Sequence, residues 1–185
     1  MENVKKIAEM LRKIQDPKLR DSTIELLKAV KDELVNKPAS VKYHHKNKGG
    51  LGRHTREVME QAITMYNINP ELYACTLDQV ILASFVHDFN KLDKYNELPV
   101  GDWRRQPKYG AKEFEYSSSK IRMNETADVV LYCAKHGLIL DELVVNAVTY
   151  HHGGWSADFK DSVGSMSRIA VLIHSADLIS TVCFG

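Results

Sequence analysis

The sequence predicts an all-α protein, a single compact helical domain of about six to eight helices. Three observations predict it. Apolar residues recur at helical spacing in nearly every segment long enough to show a period. Pro, Gly and polar clusters of the kind that start and stop helices fall between those segments. No pair of alternating runs flanks a turn, so no convincing hairpin is expected.

Val4, Ile7, Ala8, Leu11 and Ile14 form the first helical stripe. Ser22-Thr23-Ile24-Glu25 reads as a capping box, with Leu26, Leu27, Val30 and Leu34 following on one face, and Lys37-Pro38 as the stop. Tyr43 to Gly52 is polar and glycine-rich, a loop. Arg53 to about Tyr66 is the next helix, with Val58, Ala62 and Met65 inward, and Asn69-Pro70 lies in the connection after it. Thr76 or Asp78 can cap the following helix, which is apolar nearly all round through Phe89 and is therefore central. Residues 93–120, with Pro99, Gly101, Pro107, Gly110 and Ser117-Ser118-Ser119, read as an irregular surface excursion. Helical pattern returns at Glu125–Lys135, Asp141–His151 and Ser167–Ser180.

The chain has 185 residues, 44% hydrophobic and 26% charged, which suits one globular domain over residues 1–185. Helices within 1–36 are expected to pack on a core at 38–180. A net charge of +1 argues against a strong footprint for duplex DNA. Cys75, Cys133 and Cys183 are odd in number and unclustered, and read as buried thiols in a reducing compartment. No segment is apolar for long enough to span a membrane, and Met1-Glu2-Asn3-Val4-Lys5-Lys6 lacks the apolar core of a signal peptide, so a cytoplasmic location is expected.

The chemistry starts at His87-Asp88, a doublet ending the apolar run Val80–Val86. An imidazole and a carboxylate are costly to bury unless something satisfies them. A divalent cation does so: such donors suit Mn, Fe, Ni, Co or Zn, and Mg where water and carboxylate dominate. His54 falls one turn before Val58, on the inward stripe of its helix. His151 follows Val144, Ala147 and Val148, and Asp177 follows Ala170 and Ile173, with His174 one turn before it. Four helices thus each aim a ligand-type side chain inward, a known way to build a metal site in a helical core.

With these residues in place, the chain resembles the HD-domain superfamily of metal-dependent phosphohydrolases over roughly residues 38–180. The family pattern of a histidine, a His-Asp doublet and a distant aspartate matches His54, His87-Asp88 and Asp177. Pro38-Ala39-Ser40-Val41-Lys42-Tyr43-His44-His45, Gly49-Gly50-Leu51-Gly52-Arg53-His54-Thr55 and Ile173-His174-Ser175-Ala176-Asp177 are similar to the HD portion of bacterial 3′→5′ exoribonucleases. His87-Asp88-Phe89-Asn90-Lys91 and Tyr150-His151-His152-Gly153-Gly154 are similar to small stand-alone bacterial and phage HD hydrolases. The resemblance implies that His54, His87, Asp88 and Asp177 hold the metal, and that Asp88 also serves the attacking water. Where many relatives carry a further histidine, this chain has Arg122-Met123-Asn124-Glu125, with Met123 at the ligand position. One cation is therefore expected, with a second as the alternative.

Lys91 stands one turn beyond the doublet, where it contacts phosphate or is simply solvated. His151 is a candidate for binding phosphate, protonating a leaving oxygen or holding a second metal. Asp88, Lys91 and His151 are the candidate catalytic residues; His45, Arg53, Lys91, His136, His151 and His152 are the candidate substrate contacts. His136-Gly137 also reads as a helix C-cap. His44, His45, Lys46, Lys48 and Arg53 form a basic loop, and Arg104, Arg105 and Lys108 with Trp103 and Tyr109 offer phosphate and base contacts. The expected activity is hydrolysis of a phosphoester or phosphoanhydride bond of a nucleotide. The rivals are a 3′→5′ nuclease on single-stranded nucleic acid and a degenerate nucleotide-binding HD module.

Overall fold

Seven α-helices make up the core among the described residues of the computed structural model, which are 1–118, 123–155 and 163–185. The last two residues of the 93–120 excursion, and Arg122, lie outside them. Helix α1 (Glu2–Leu11) buries Val4, Ile7, Met10 and Leu11. Helix α2 runs Pro17–Asn36, starting before the expected capping box. Asp16 is the actual cap, accepting a hydrogen bond from Leu19 N at 2.7 Å, and Pro17 sits where its missing N–H costs nothing. Thr23 lies inside the helix and donates to Arg20 O at 2.8 Å.

Helix α3 (Gly50–Ile68) begins three residues earlier than Arg53. Gly49 precedes it in the left-handed region, at φ 78°, and the main chain of the His45 loop lies where a Cβ on Gly50 would be. Helix α4 (Leu77–Val86) has a full capping box from Thr76 and Gln79, and every residue from Val80 to Val86 is buried. It ends at Val86, short of Phe89, and a tight turn over Phe89–Lys91 follows. Helices α5 (Glu125–Lys135), α6 (Glu142–Tyr150) and α7 (Arg168–Ile179) are capped by Asn124, Asp141 and Ser167. A wider π turn, Ser180–Phe184, continues α7. Helix α4 is the hub, packed against α1, α3, α6 and α7, while α1 and α2 both cover α3.

The excursion is more ordered than its sequence implies. Strands β1 (Tyr95–Glu97) and β2 (Phe114–Tyr116) pair antiparallel, with Tyr95 opposite Tyr116. Three-residue strands far apart in sequence leave no period to read, which is why no hairpin is expected from sequence. Buried Tyr95, Leu98 and Phe114 pin the sheet down, and Lys37 Nζ donates to Tyr95 O at 2.7 Å. All three cysteines are free thiols; Cys133 is buried, Cys75 half-buried, and Cys183, expected inside, is exposed because it lies on the π turn beyond the last core helix. No described helix is long and apolar enough to cross a membrane.

Phe85 is fully buried in the middle of α4 and meets Phe89 edge-on, ring centroids 4.9 Å apart. Phe85→Ala is expected to cost about 3–5 kcal/mol. The check is a lower urea midpoint at unchanged slope.

Candidate metal centre

Four helix ends converge on one small volume. His54 comes from α3, His87 and Asp88 from the end of α4, His151 from the end of α6 and Asp177 from the last turn of α7. His54 and His87 are fully buried, Asp88 and His151 nearly so, and Asp177 is 8% exposed. His54 Nε2 lies 3.3 Å from His87 Nε2, 3.0 Å from Asp177 Oδ1 and 3.2 Å from Asp88 Oδ2, and His87 Nε2 lies 3.5 Å from Asp88 Oδ2.

Local structure sets the histidine tautomers. The last carbonyls of a helix have no intrahelical partner. His87 Nδ1 donates to one of them, Ser84 O, at 2.7 Å, and His151 Nδ1 donates to another, Val148 O, at 2.6 Å. A carbonyl only accepts, so Nδ1 carries the proton in both rings and each Nε2 is left with its lone pair. His174 Nδ1 donates to His151 O at 2.7 Å and packs on Gly153, steadying that helix end.

Electrostatics follow from this crowding. Burial pushes the His87 imidazole down to about 3, so it stays neutral. Burial also opposes charge on His54, but its hydrogen bonds to Asp177 and Asp88 and their charges outweigh that and raise it to about 9. Asp88 is held well below the usual carboxylate range: its burial opposes this, and Lys91 and the histidines override it. Lys91 is not solvated; it is 6% exposed and donates to Asp88 Oδ2 at 2.6 Å.

The donor set fits a divalent cation. Two donors bound to one ion at about 2.1 Å sit roughly 3.0–3.4 Å apart, close to the 3.0–3.3 Å that separate His54 Nε2 from His87, Asp88 and Asp177 and the 3.5 Å between His87 and Asp88. Asp88 Oδ1 and His151 Nε2 are buried with no hydrogen-bond partner, 3.6 Å from one another. Buried polar atoms left so need an explanation, and a bound ion or a substrate oxygen supplies one.

The other candidates divide. His152 is half-buried, groups with Asp88 and His151, and meets Glu125 Oε2 through Nδ1 at 3.2 Å; Lys94 holds the other Glu125 oxygen at 2.8 Å. A cleft of about 400 Å³ opens beside Glu125, lined also by Lys94, Tyr116, Met123 and Asp128. His45 and Arg53 both bond to Glu57, at 2.9 and 2.8 Å; His45 is buried, while about half of the Arg53 side chain, 51%, stays exposed. His136 is exposed at the end of α5, tilted against Tyr132, and outside the cluster. Arg104 spends its guanidinium on Asp102 and Glu115, and Arg105 on Glu97 and Leu98 O, so neither is offered to phosphate. Sequence reasoning missed Glu57, Ser180 and Glu125. It placed His44 in the basic loop, but the ring sits 4.7 Å from that of His54, and burial pushes it down to about 4.

No known family profile matches the chain, and no solved structure does. Among curated proteins, the dihydroneopterin 2′,3′-cyclic phosphate phosphodiesterase of Methanocaldococcus jannaschii is 33% identical over 189 aligned residues, covering 96% of this chain and 67% of that protein. The chain belongs to the HD-domain phosphohydrolases. Two other HD-domain relatives are the 3′-5′ exoribonucleases YhaM of Oceanobacillus iheyensis, 24% identical over 96% of the chain, and of a Geobacillus species, 29% identical over 94%. The chain spans about half the length of those two nucleases. As an HD-domain enzyme it is a metal-dependent phosphohydrolase, and its His/Asp cluster is compatible with that dependence.

Proposed function

We propose that the chain hydrolyses a phosphoester bond of a small nucleotide or nucleotide-like molecule, a cyclic phosphodiester first among the candidates. The carrying observation is the convergence of His54 Nε2, His87 Nε2, Asp88 and Asp177 at 3.0–3.5 Å. These four residues would hold one cation. When bound, it lowers the pKa of a coordinated water and neutralises charge on the phosphoryl group. Asp88 orients the attacking water through the oxygen it turns toward His151. Lys91, pinned beside Asp88, meets a phosphoryl oxygen. His151 keeps its Nδ1 proton on a carbonyl; burial opposes a second proton, but Asp88 and Asp177 favour it, and on Nε2 that proton would be placed to pass to the leaving oxygen. The cleft beside Glu125 is where the organic part of the substrate would sit, with Tyr116 as a stacking surface.

A small substrate is favoured over a polynucleotide because Arg104 and Arg105, the two arginines of the excursion, are already paired with carboxylates. The relative that acts on a 2′,3′-cyclic phosphate supports the same choice. The exoribonuclease relatives support the second reading, removal of nucleotides from a single-stranded 3′ end.

The test is a turnover screen with Mn²⁺, Mg²⁺, Co²⁺ or Ni²⁺ against cyclic nucleotides, nucleoside mono- and triphosphates and single-stranded oligoribonucleotides. Ring opening of cyclic phosphates is the expected result. Stepwise shortening of oligonucleotides alone would establish the nuclease reading. Metal uptake with no turnover on any substrate would show a binding module instead.

A further inference from the structure

We propose that Ser180 and Glu57 are positioning residues that dictate which nitrogen of His54 faces the cation, an inference that rests on the metal reading above. Helix α7 and its continuation clamp one imidazole from both sides. Asp177 lies 3.0 Å from His54 Nε2, and Ser180, three residues on and on the same helical face, lies 2.9 Å from Nδ1.

The direction of each bond follows from counting protons. Ser180 Oγ is also 3.0 Å from Glu57 Oε2. The Glu57 carboxylate accepts from Arg53 at 2.8 Å and Arg56 at 3.1 Å through Oε1, and from His45 at 2.9 Å through Oε2. An ionised carboxylate only accepts. The single hydroxyl proton of Ser180 therefore goes to Glu57, and the serine oxygen is left to accept from His54 Nδ1–H. The remaining nitrogen, Nε2, is the one beside Asp88, Asp177 and His87. Ser180 is fully buried and Glu57 is 5% exposed, so bulk water does not reorient the hydroxyl. Arg53 also donates to Phe184 O at 2.9 Å, clamping the π turn that begins at Ser180 onto α3. Partners of this kind, holding the far nitrogen of a ligating histidine, typically change metal affinity 10–100-fold when removed.

Glu57→Gln gives the logic its sharpest form. The amide oxygen stays with the two arginines, and the NH₂ group points to Ser180. The serine then accepts from the amide, and its freed hydroxyl proton turns to His54 Nδ1, which shifts the histidine proton toward Nε2. Calorimetric titration of the purified protein with Mn²⁺ reads affinity, and long-range ¹H–¹⁵N spectra of the Zn²⁺-loaded protein read the His54 tautomer. Wild type is expected to bind Mn²⁺ with the His54 proton on Nδ1. Ser180→Ala and Glu57→Gln are each expected to weaken Mn²⁺ binding about 10–100-fold, and Ser180→Thr, which restores the hydroxyl, to recover most of it. If wild type binds Mn²⁺ and both Ser180→Ala and Glu57→Gln bind it equally well with an unchanged tautomer, the positioning role is wrong and the metal centre stands. If wild type takes up no Mn²⁺, the metal reading falls and this inference with it.

Discussion

Asp88→Asn is expected to reduce turnover to the level of the uncatalysed control while leaving the protein folded. Asp88 touches four residues of the centre: Lys91 at 2.6 Å, His54 at 3.2 Å, His87 at 3.5 Å and His151 at 3.6 Å. Asparagine keeps the shape and an oxygen for Lys91 but removes the charge that both a cation and the lysine require. Asp88→Ala is a poorer test. It strands the buried Lys91 ammonium, and breaking a buried pair by deleting one partner costs about 3–5 kcal/mol. The alanine variant is therefore expected to be inactive and strongly destabilised, the asparagine variant inactive and folded but less destabilised, because its amide oxygen still accepts from Lys91. Wild-type turnover in Asp88→Asn would remove Asp88 from the chemistry.

Saturating the protein with divalent metal is expected to raise its thermal midpoint markedly, and chelator to reverse the rise. The ligand residues come from α3, α4 and α7, which meet across the core, so only the folded chain presents them together. A ligand at a thousandfold its dissociation constant stabilises by about 4 kcal/mol. For a chain of this size each kcal/mol moves the midpoint by roughly 2–4 °C, giving a shift of about 8–16 °C. A His54→Ala/His87→Ala variant should lose the metal-dependent part of the shift. An equal shift in that variant would place the ion elsewhere.

The helices were legible because their apolar stripes are long; Val80–Val86 declares α4 without ambiguity. The start of α2 was missed because two cap signals compete, and Asp16-Pro17 outranks Ser22–Glu25 through the fixed φ of proline. Strands β1 and β2 are held by tertiary burial of Tyr95 and Phe114, which no local pattern encodes. Of the centre, His54, His87-Asp88, His151 and Asp177 could be read from their inward register. Glu57 and Ser180 could not, since they meet across 123 residues of chain. One signal did point to them: Glu57 is one turn from His54 and Ser180 one turn from Asp177, so each shares a face with a candidate ligand. The arginines of the excursion look free in sequence; Asp102 stands only two residues from Arg104, but Glu97 and Glu115 come close only once the chain folds back.

The three central histidines are moored differently, and this distributes mutational risk unevenly. His87 and His151 are tied to carbonyl oxygens of Ser84 and Val148, atoms that every amino acid supplies. Genetic drift at positions 84 and 148 can exchange side chains without removing either tether. His54 alone is moored to a side chain, so a single codon change at position 180 can cut its line while every ligand residue remains in the sequence. A damaged copy of this protein could thus keep His54, His87-Asp88 and Asp177 intact, and a reader scanning for the HD pattern would score it as sound.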